Sequence, residues 1–180
     1  KEALEMMGAE ARVYLPNRFT DGYGPNESVY KYFIEQEGIS LIITVDNGVA
    51  GNEAIAYAQE QGVDVIVTDH HSMPAQLPDA YAIVHPEHPD ADYPFKYLAG
   101  CGVAFKLATA LLETIPTEML DLVAIGTIAD MVSLTDENRI MVKVGLEILK
   151  TTERIGLQEL LRISDVDPTT ISEETVGFKL

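Results

Sequence analysis

The sequence has 180 residues, of which 47% are apolar and 23% are charged, a composition typical of one globular domain. This apolar content excludes a wholly disordered chain, and no run of about 20 clean apolar residues exists to form a membrane span. A single cysteine, Cys101, excludes an internal disulfide framework. No signal peptide is evident, so we expect a cytoplasmic protein. The first residue is lysine rather than methionine, as expected for a piece of a longer chain.

The charge is strongly unbalanced, with 29 acidic against 12 basic residues and a formal net charge of -17. Proteins that grip nucleic acid by its backbone usually carry a basic patch, whereas this chain repels polyanions on average. Two interpretations of the acidity are open. The carboxylates form a solvated surface, or some of them gather to hold divalent cations, which would invert the local field.

Apolar segments alternate with helical patterns along the first half of the chain. The predicted strands are 11–15, 40–45, 63–68 and 81–84. The predicted helices are 26–37 and 52–61, then 104–114, 118–128, 139–150 and 157–163. Segments 40–45 and 63–68 are apolar on both faces, which indicates strands buried between layers. We therefore predict an α/β fold, with a Rossmann-like parallel sheet, right-handed crossovers and flanking helices, followed by a helical second half.

Acidic residues follow the two strongest strands. Asp46 comes directly after strand 40–45, and Asp69 with His70 and His71 follows strand 63–68. The carboxyl ends of parallel strands share one edge of a sheet, and neighbouring strands lie about 5 Å apart, so these groups should meet. Carboxylates that close repel unless a cation lies between them, and carboxylate with imidazole suits Mn²⁺, Zn²⁺ or Fe²⁺ better than Ca²⁺. Turn residues and solvated histidines are the alternative interpretation.

Asp130 is a third candidate, because it lies in the otherwise apolar segment 124–132. Buried carboxylates are rare unless they are paired or coordinate a metal. A cap at the end of a helix is the alternative. With Asp46 and His70 it would form an Asp/His/Asp set, which is incomplete for a two-metal centre.

The segment Asp69-His70-His71 after a buried strand resembles the signature of the DHH phosphoesterase superfamily, and Asp46-Asn47-Gly48 resembles its preceding motif. Further segments resemble the RecJ family within it, the bacterial exonucleases specific for single-stranded DNA. They are Tyr-Leu-Pro-Asn-Arg-Phe at 14–19, Asp-Gly-Tyr-Gly at 21–24, Tyr-Pro-Phe-Lys at 93–96, Leu-Ala-Gly-Cys-Gly-Val-Ala-Phe-Lys at 98–106 and Gly-Thr-Ile-Ala-Asp at 126–130. Together they extend over nearly the whole chain.

The resemblance implies a 5′-to-3′ exonuclease that hydrolyses phosphodiester bonds of single-stranded DNA with two Mn²⁺ or Mg²⁺ ions. It implies that Asp46 bridges the two metals, that His70 binds one of them and that Asp130 is a further ligand of that metal. His71 would face the scissile phosphate. Asp69 would orient a histidine, as ligating imidazoles generally require.

Four further residues are candidates for substrate binding. Arg18 and Tyr23 lie in a predicted loop, where they could touch a phosphate or stack on a base. A surface loop packed by Phe19 and Tyr23 is the alternative. Gly100 and Gly102 precede a predicted helix and would let the backbone approach a ligand, or else they serve close helix packing.

The resemblance also implies that parts of the catalytic domain lie outside the sequence. Relatives carry an Asp-x-Asp motif on a strand that would precede Lys1, and a second domain after the core. We therefore assign 1–164 to a DHH-type catalytic core that lacks its first strand and 165–180 to a connector, and we expect the fragment alone to be inactive. The missing parts would also carry the basic wall of a DNA groove. The resemblance also implies a helicase or a single-strand-binding protein as partner, and it implies no association with a membrane.

Two other functions remain open. One is a phosphodiesterase of the same superfamily that acts on short oligonucleotides or cyclic dinucleotides, or a pyrophosphatase. The other is a replication scaffold without catalysis, against which the retention of the acids and histidines argues. Digestion of long single strands compared with dinucleotides would separate the two enzymes.

Overall fold

The computed structural model describes all 180 residues, Lys1–Leu180, which form two compact units, Lys1–Lys96 and Tyr97–Leu180. The first unit is α/β and the second is helical, which confirms the predicted fold class. No helix in either unit combines the length and the hydropathy that a bilayer-spanning segment needs.

The first unit contains three helices and one sheet of three parallel strands in the order β1-β2-β3. Its elements are α1 (Glu2–Met6), α2 (Glu27–Glu37), β1 (Leu41–Val45), α3 (Asn52–Glu60), β2 (Asp64–Thr68) and β3 (Ala82–Val84). Helix α2 begins where the Asn26 side chain accepts hydrogen bonds from free backbone N–H groups of the first turn, and it ends at Gly38 in a left-handed conformation. The three strands predicted at 40–45, 63–68 and 81–84 are confirmed.

The strands end in register at one edge of the sheet. Val45 pairs with Thr68, and Thr68 pairs with Val84. The residue after each strand therefore arrives at the same edge, as expected for parallel strands. This alignment positions the site described below.

Two expectations about the strands are wrong. Residues 11–15 form no strand, because the structure gives them no neighbouring strand to bond with; Leu15 is 82% exposed. Strand β1 is not buried on both faces, since Leu41 and Val45 are about half exposed. The core of this unit lies on one face of the sheet, where Val65 and Val67 of the central strand pack with Tyr30 and Ile55.

The second unit consists of five helices, with 3-10 turns at Thr117–Met119 and Pro168–Thr170. The helices are α4 (Gly100–Leu112), α5 (Leu120–Ala129), α6 (Asp136–Leu149), α7 (Ile155–Ile163) and α8 (Glu173–Lys179). Helices α5 and α6 pack closely at Gly145, where a Cβ atom would lie 2.0 Å from the carbonyl oxygen of Leu120. All four helices predicted beyond residue 97 are present, although most begin earlier than predicted.

The segment 165–180 is folded into the second unit. Val166, Ile171 and Val176 are buried in the same core as Ala124 and Val142. Its assignment as a connector that leads from a 1–164 core to another domain stays a prediction.

Candidate metal centre at the sheet edge

The turn after β1 presents Asp46 at the edge of the sheet. Asp46 has a φ of 65°, a left-handed conformation that aspartate tolerates better than most residues. Its N–H donates to the carbonyl oxygen of Thr68 at 2.9 Å, so the turn crosses the end of β2. The Asp46 side chain remains 53% exposed at this edge.

Two buried threonines hold the ends of β1 and β2 together. The Thr68 hydroxyl donates to the Thr44 carbonyl oxygen at 2.6 Å, and the Thr44 hydroxyl donates to the Asn47 carbonyl oxygen at 2.6 Å. Gly48 has a φ of 124°, and a Cβ there would lie 2.6 Å from Thr44 Oγ1 and 2.8 Å from Val67 Cγ1. The Asp46 turn is therefore fixed by side-chain hydrogen bonds and by a position that only glycine fits.

Asp69 is the buried anchor of the histidine pair. Its side chain is 2% exposed and its Oδ1 accepts from the N–H groups of His70 and His71 at 2.7 and 3.1 Å. Its Oδ2 accepts from the N–H of Val49, at 3.0 Å, which ties this loop to the turn after β1. Burial raises the pKa of Asp69, but the hydrogen bonds from Val49, His71 and His70 together outweigh it and hold the pKa below its usual value.

The carboxylate of Asp69 also fixes the His71 ring. His71 Nδ1 lies 2.7 Å from Asp69 Oδ1. Because a carboxylate can only accept, we assign the proton to Nδ1, which leaves the Nε2 atom of His71 for a ligand. The predicted orienting role of Asp69 fits this contact, although catalysis by Asp69 and His71 stays a prediction.

His70 lies between Asp46 and His71. Its side chain is 13% exposed, and its Nε2 lies 3.0 Å from Asp46 Oδ1. The rings of His70 and His71 are tilted by 54° with centroids 4.7 Å apart. The structure therefore brings together the four residues of the first unit that were predicted as metal ligands or catalytic residues, Asp46, Asp69, His70 and His71.

The donor set at this edge suits a divalent cation. One ligand atom from each of Asp46, His70 and His71 lies within 4.8 Å of the others. One carboxylate and two imidazoles match the preferences of transition metals such as Mn²⁺, and the exposure of Asp46 and His71 leaves room for further ligands.

His85 is a buried histidine that was not among the candidate site residues. It follows β3, the residue is only 5% exposed, and its Nε2 lies 2.8 Å from the carbonyl oxygen of His71. Its Nδ1 accepts from the N–H of Glu87 at 3.0 Å, so Nε2 carries the proton. Burial lowers the pKa of His85, against smaller opposing effects of His71 and Asp69. The strand-end rule that selected Asp46 and Asp69 would also have found His85.

Asp130, the remaining predicted metal ligand, lies in the second unit. It is the exposed C-cap residue of α5, as the alternative interpretation held. The buried carboxylate of this helix is Asp121, which accepts from Arg154 Nε at 3.0 Å and Thr152 Oγ1 at 2.9 Å. The role of Asp130 as a ligand stays a prediction.

Arg18 and Tyr23 lie in an exposed loop of the first unit. The Arg18 guanidinium stacks over the Tyr23 ring, 5.2 Å from its centroid. The alternative of a loop packed by its aromatic residues is wrong, because Phe19 is 98% exposed and Tyr23 is 78% exposed. Asp21 orders the loop by accepting from the Tyr14 hydroxyl at 2.6 Å. Substrate binding by Arg18 and Tyr23 stays a prediction.

Gly100 and Gly102 form the start of α4 in the second unit, and both are buried. A Cβ on Gly102 would contact Leu98 at 3.4 Å and Met141 at 3.5 Å, which is ordinary packing. A Cβ therefore fits at Gly102, so close helix packing does not require glycine there, and a substrate contact by either glycine stays a prediction.

The second strand of the parallel sheet is followed by Asp-His-His and the first strand by an acid, and together they define a candidate divalent-cation site at the sheet edge. The "DHH family, N-terminal domain" matches residues 1–127. The chain therefore belongs to the DHH family.

Several curated relatives carry the description "Single-stranded-DNA-specific exonuclease RecJ". The protein of that name from Bacillus subtilis (strain 168) is 54% identical over 177 residues, which is 98% of this chain and 22% of the relative. The protein from Salmonella typhimurium is 40% identical over 98% of this chain and 33% of the relative. The chain thus spans between about a fifth and a third of the length of these relatives.

Solved structures agree with these relatives. A crystal structure of exonuclease RecJ bound to manganese superposes with a TM-score of 0.84 at 34% identity, and covers 99% of this chain and 45% of that chain. RecJ in complex with Mn²⁺ from Thermus thermophilus gives a TM-score of 0.80 at 32% identity, and covers 99% and 25% respectively. The Mg²⁺ complex from the same organism gives a TM-score of 0.57 at 34% identity, and the match covers 78% of this chain and 19% of that chain.

Proposed function

We propose that this chain is part of a metal-dependent exonuclease that removes nucleotides from the 5′ end of single-stranded DNA. The observation that carries the proposal is the cluster of Asp46, His70 and His71 at the edge of the sheet, within 4.8 Å of one another. Membership of the DHH family and the exonuclease descriptions of the relatives support it.

Asp46 and His70 would hold Mn²⁺ or Mg²⁺, with Asp130 as a further ligand. The donor chemistry fits, because Asp46 offers a carboxylate beside an imidazole that is largely shielded from water. When bound, such ions stabilise charge on a phosphoryl group and on the oxygens that attack it and leave it. The named complexes of relatives with Mn²⁺ and Mg²⁺ support both ions as cofactors.

His71 would act on the scissile phosphate. Its Nδ1 proton is held by Asp69, so its Nε2 is the atom that a phosphate oxygen or a departing 3′ oxygen would meet. Protonated at Nε2, the ring donates a hydrogen bond to the phosphate and then a proton to the leaving oxygen. While the ring carries a proton on both nitrogens, Asp69 stabilises its positive charge, because Asp69 stays ionised at neutral pH; after the transfer the ring is neutral.

Arg18 and Tyr23 would hold the DNA strand close to this edge. The exposed guanidinium offers donors to a phosphate, and the exposed ring offers a face on which a base stacks. Their loop lies in the same unit as the cluster. A net charge of -17 gives this chain little attraction for DNA elsewhere, so a few well-placed cations would carry the contact.

The experiment uses the full-length protein that contains this chain. We expect it to degrade a single-stranded oligonucleotide from the 5′ end with Mn²⁺ or Mg²⁺, to spare the duplex, and to stop in EDTA. Asp46→Asn should abolish hydrolysis, whereas Asp64→Asn, an exposed acid on β2, should not. Hydrolysis of dinucleotides or cyclic dinucleotides in preference to long strands would contradict the exonuclease, and full activity of Asp46→Asn would contradict the metal centre.

Two weaker proposals accompany the exonuclease. A helicase or a single-strand-binding protein would supply or present its substrate, since duplex DNA must first be opened. A cytoplasmic location would place it with the DNA on which it acts.

A further inference from the structure

His85 is buried, polar and outside the donor cluster. Both of its ring nitrogens are engaged by the backbone. Nδ1 accepts from the Glu87 N–H at 3.0 Å, and Nε2 lies 2.8 Å from the His71 carbonyl oxygen. A hydrophobic residue of the same size would fill the space without these two bonds.

The contact completes the restraints on His71. Asp69 holds the N–H and the Nδ1 of His71, while His85 holds its carbonyl oxygen. The peptide and the ring are thereby fixed together, although nearly half of the side chain is exposed. Without such contacts, the position of a side chain on an exposed loop is less well fixed.

His85 itself is firmly held. It follows β3, whose end is bonded to β2 by the Asp69 N–H and the Val84 carbonyl oxygen at 3.2 Å. The next residue, Pro86, restricts His85 to an extended conformation, and the Pro86 carbonyl oxygen accepts from Lys96 Nζ at 2.9 Å. The residue after β3 therefore restrains the loop that follows β2.

We propose that His85 is a positioning residue that fixes the Nε2 atom of His71 through a hydrogen bond to the His71 carbonyl oxygen. This inference rests on the proposed function for its kinetic consequence. Removing a group that orients an active-site histidine typically costs about 10- to 100-fold in activity. The loss should fall on kcat, because His85 touches no substrate.

The test compares His85→Leu, which removes the donor, with His85→Gln, whose amide N–H can reach the same carbonyl oxygen. His88→Gln is the matched control. His88 lies in the same loop, but its Nδ1 accepts from the Asp90 N–H, and this contact does not involve His71. On a 5′-phosphorylated single strand with Mn²⁺, the full-length Leu variant should lose about tenfold or more in kcat with KM nearly unchanged. The Gln variant should recover most of that loss, and the His88 variant should behave as wild type.

A second measurement needs no metal. Amide hydrogen exchange at residues 70–71 in the metal-free protein should quicken about tenfold in His85→Leu and stay slow in His85→Gln. Unchanged kcat and exchange in the Leu variant would overturn the proposal. Should the Leu variant not fold, His85→Met serves instead; if neither folds while Gln does, His85 supports stability and the proposal is wrong. An inactive wild type would refute the exonuclease, while the exchange comparison would still decide the role of His85.

Discussion

Asp69→Asn should loosen the whole sheet edge, because Asp69 accepts four hydrogen bonds in a buried position. Oδ1 accepts from the two histidine N–H groups and from His71 Nδ1, and Oδ2 accepts from Val49. An amide has one acceptor oxygen. The least costly orientation keeps that oxygen at the Oδ1 position and turns the NH₂ group toward the buried N–H of Val49.

The magnitude follows from these contacts. A lost hydrogen bond to a charged group costs about 1.5–3 kcal/mol, and a buried donor without a partner adds about 1–3 kcal/mol. Neutralising Asp69 also removes the cost of burying a charge, which offsets part of this loss, so we expect a net loss of about 3 kcal/mol in local stability. Since about 1.4 kcal/mol is a factor of ten, the exchange of amides at 68–71 should quicken about 150-fold.

The assay is amide hydrogen exchange in the metal-free full-length protein, with Asp64→Asn on the same strand as control. The pKa of Asp69 lies below its usual value of 3.8, so its stabilising effect is present at neutral pH and is lost as the pH falls through the lowered pKa. The difference between wild type and Asp69→Asn should therefore shrink in strong acid. An exchange rate within threefold of wild type at neutral pH would refute the anchoring role.

Three further predictions address other parts of the molecule. Gly48→Ala should lower the unfolding temperature more than Gly62→Ala, because both glycines have a positive φ but only a Cβ at Gly48 would lie within 3 Å of other atoms. Melting curves with the same unfolding temperature for both variants would contradict this. Asp121→Ala should destabilise the second unit by about 2–4 kcal/mol in urea unfolding, because Arg154 and Thr152 lose the carboxylate that both of them contact. Glu118→Ala on the nearby 3-10 turn should cost little, and equal unfolding midpoints for the two variants would refute the stabilising role of Asp121. Tyr23→Ala should raise KM for single-stranded DNA about tenfold, because a base loses the ring on which it stacks. Tyr81 is also an exposed tyrosine, and Tyr81→Ala should leave KM unchanged. Equal KM values for the two variants would exclude stacking on Tyr23.

The sheet and its edge were predictable from the sequence because they depend on local patterns. The segments 40–45 and 63–68 are rich in β-branched residues, and parallel pairing then forces Asp46 and Asp69 to one edge. Segment 11–15 is also mostly apolar, although it holds a single β-branched residue, and a strand exists only where a neighbour accepts its hydrogen bonds. Whether such a neighbour is present is a property of the fold and cannot be read from five residues.

The choice among acids was harder, because a pattern of apolar neighbours does not distinguish a buried position from a helix end. Asp121 and Asp130 both lie beside apolar residues, yet one is buried against Arg154 and the other is an exposed cap. The partner of Asp121 lies 33 residues away along the chain, so no local window contains it. His85 is the opposite case: its signal, a polar residue directly after a strand, is local, yet His85 was not among the candidate site residues.

The site is organised by the scaffold rather than by its own charges. Asp46 occupies a left-handed conformation that costs about 1–2 kcal/mol for a residue with a Cβ, and the threonine hydrogen bonds between β1 and β2 offset that cost. His71 is fixed by Asp69 and His85. Because protein hydrogen bonds hold these donors in place, metal binding should require little ordering of the chain, and more of the binding free energy should remain for the affinity of the ion. The same arrangement explains why residues that never touch the substrate, on all three strand ends, should control the rate.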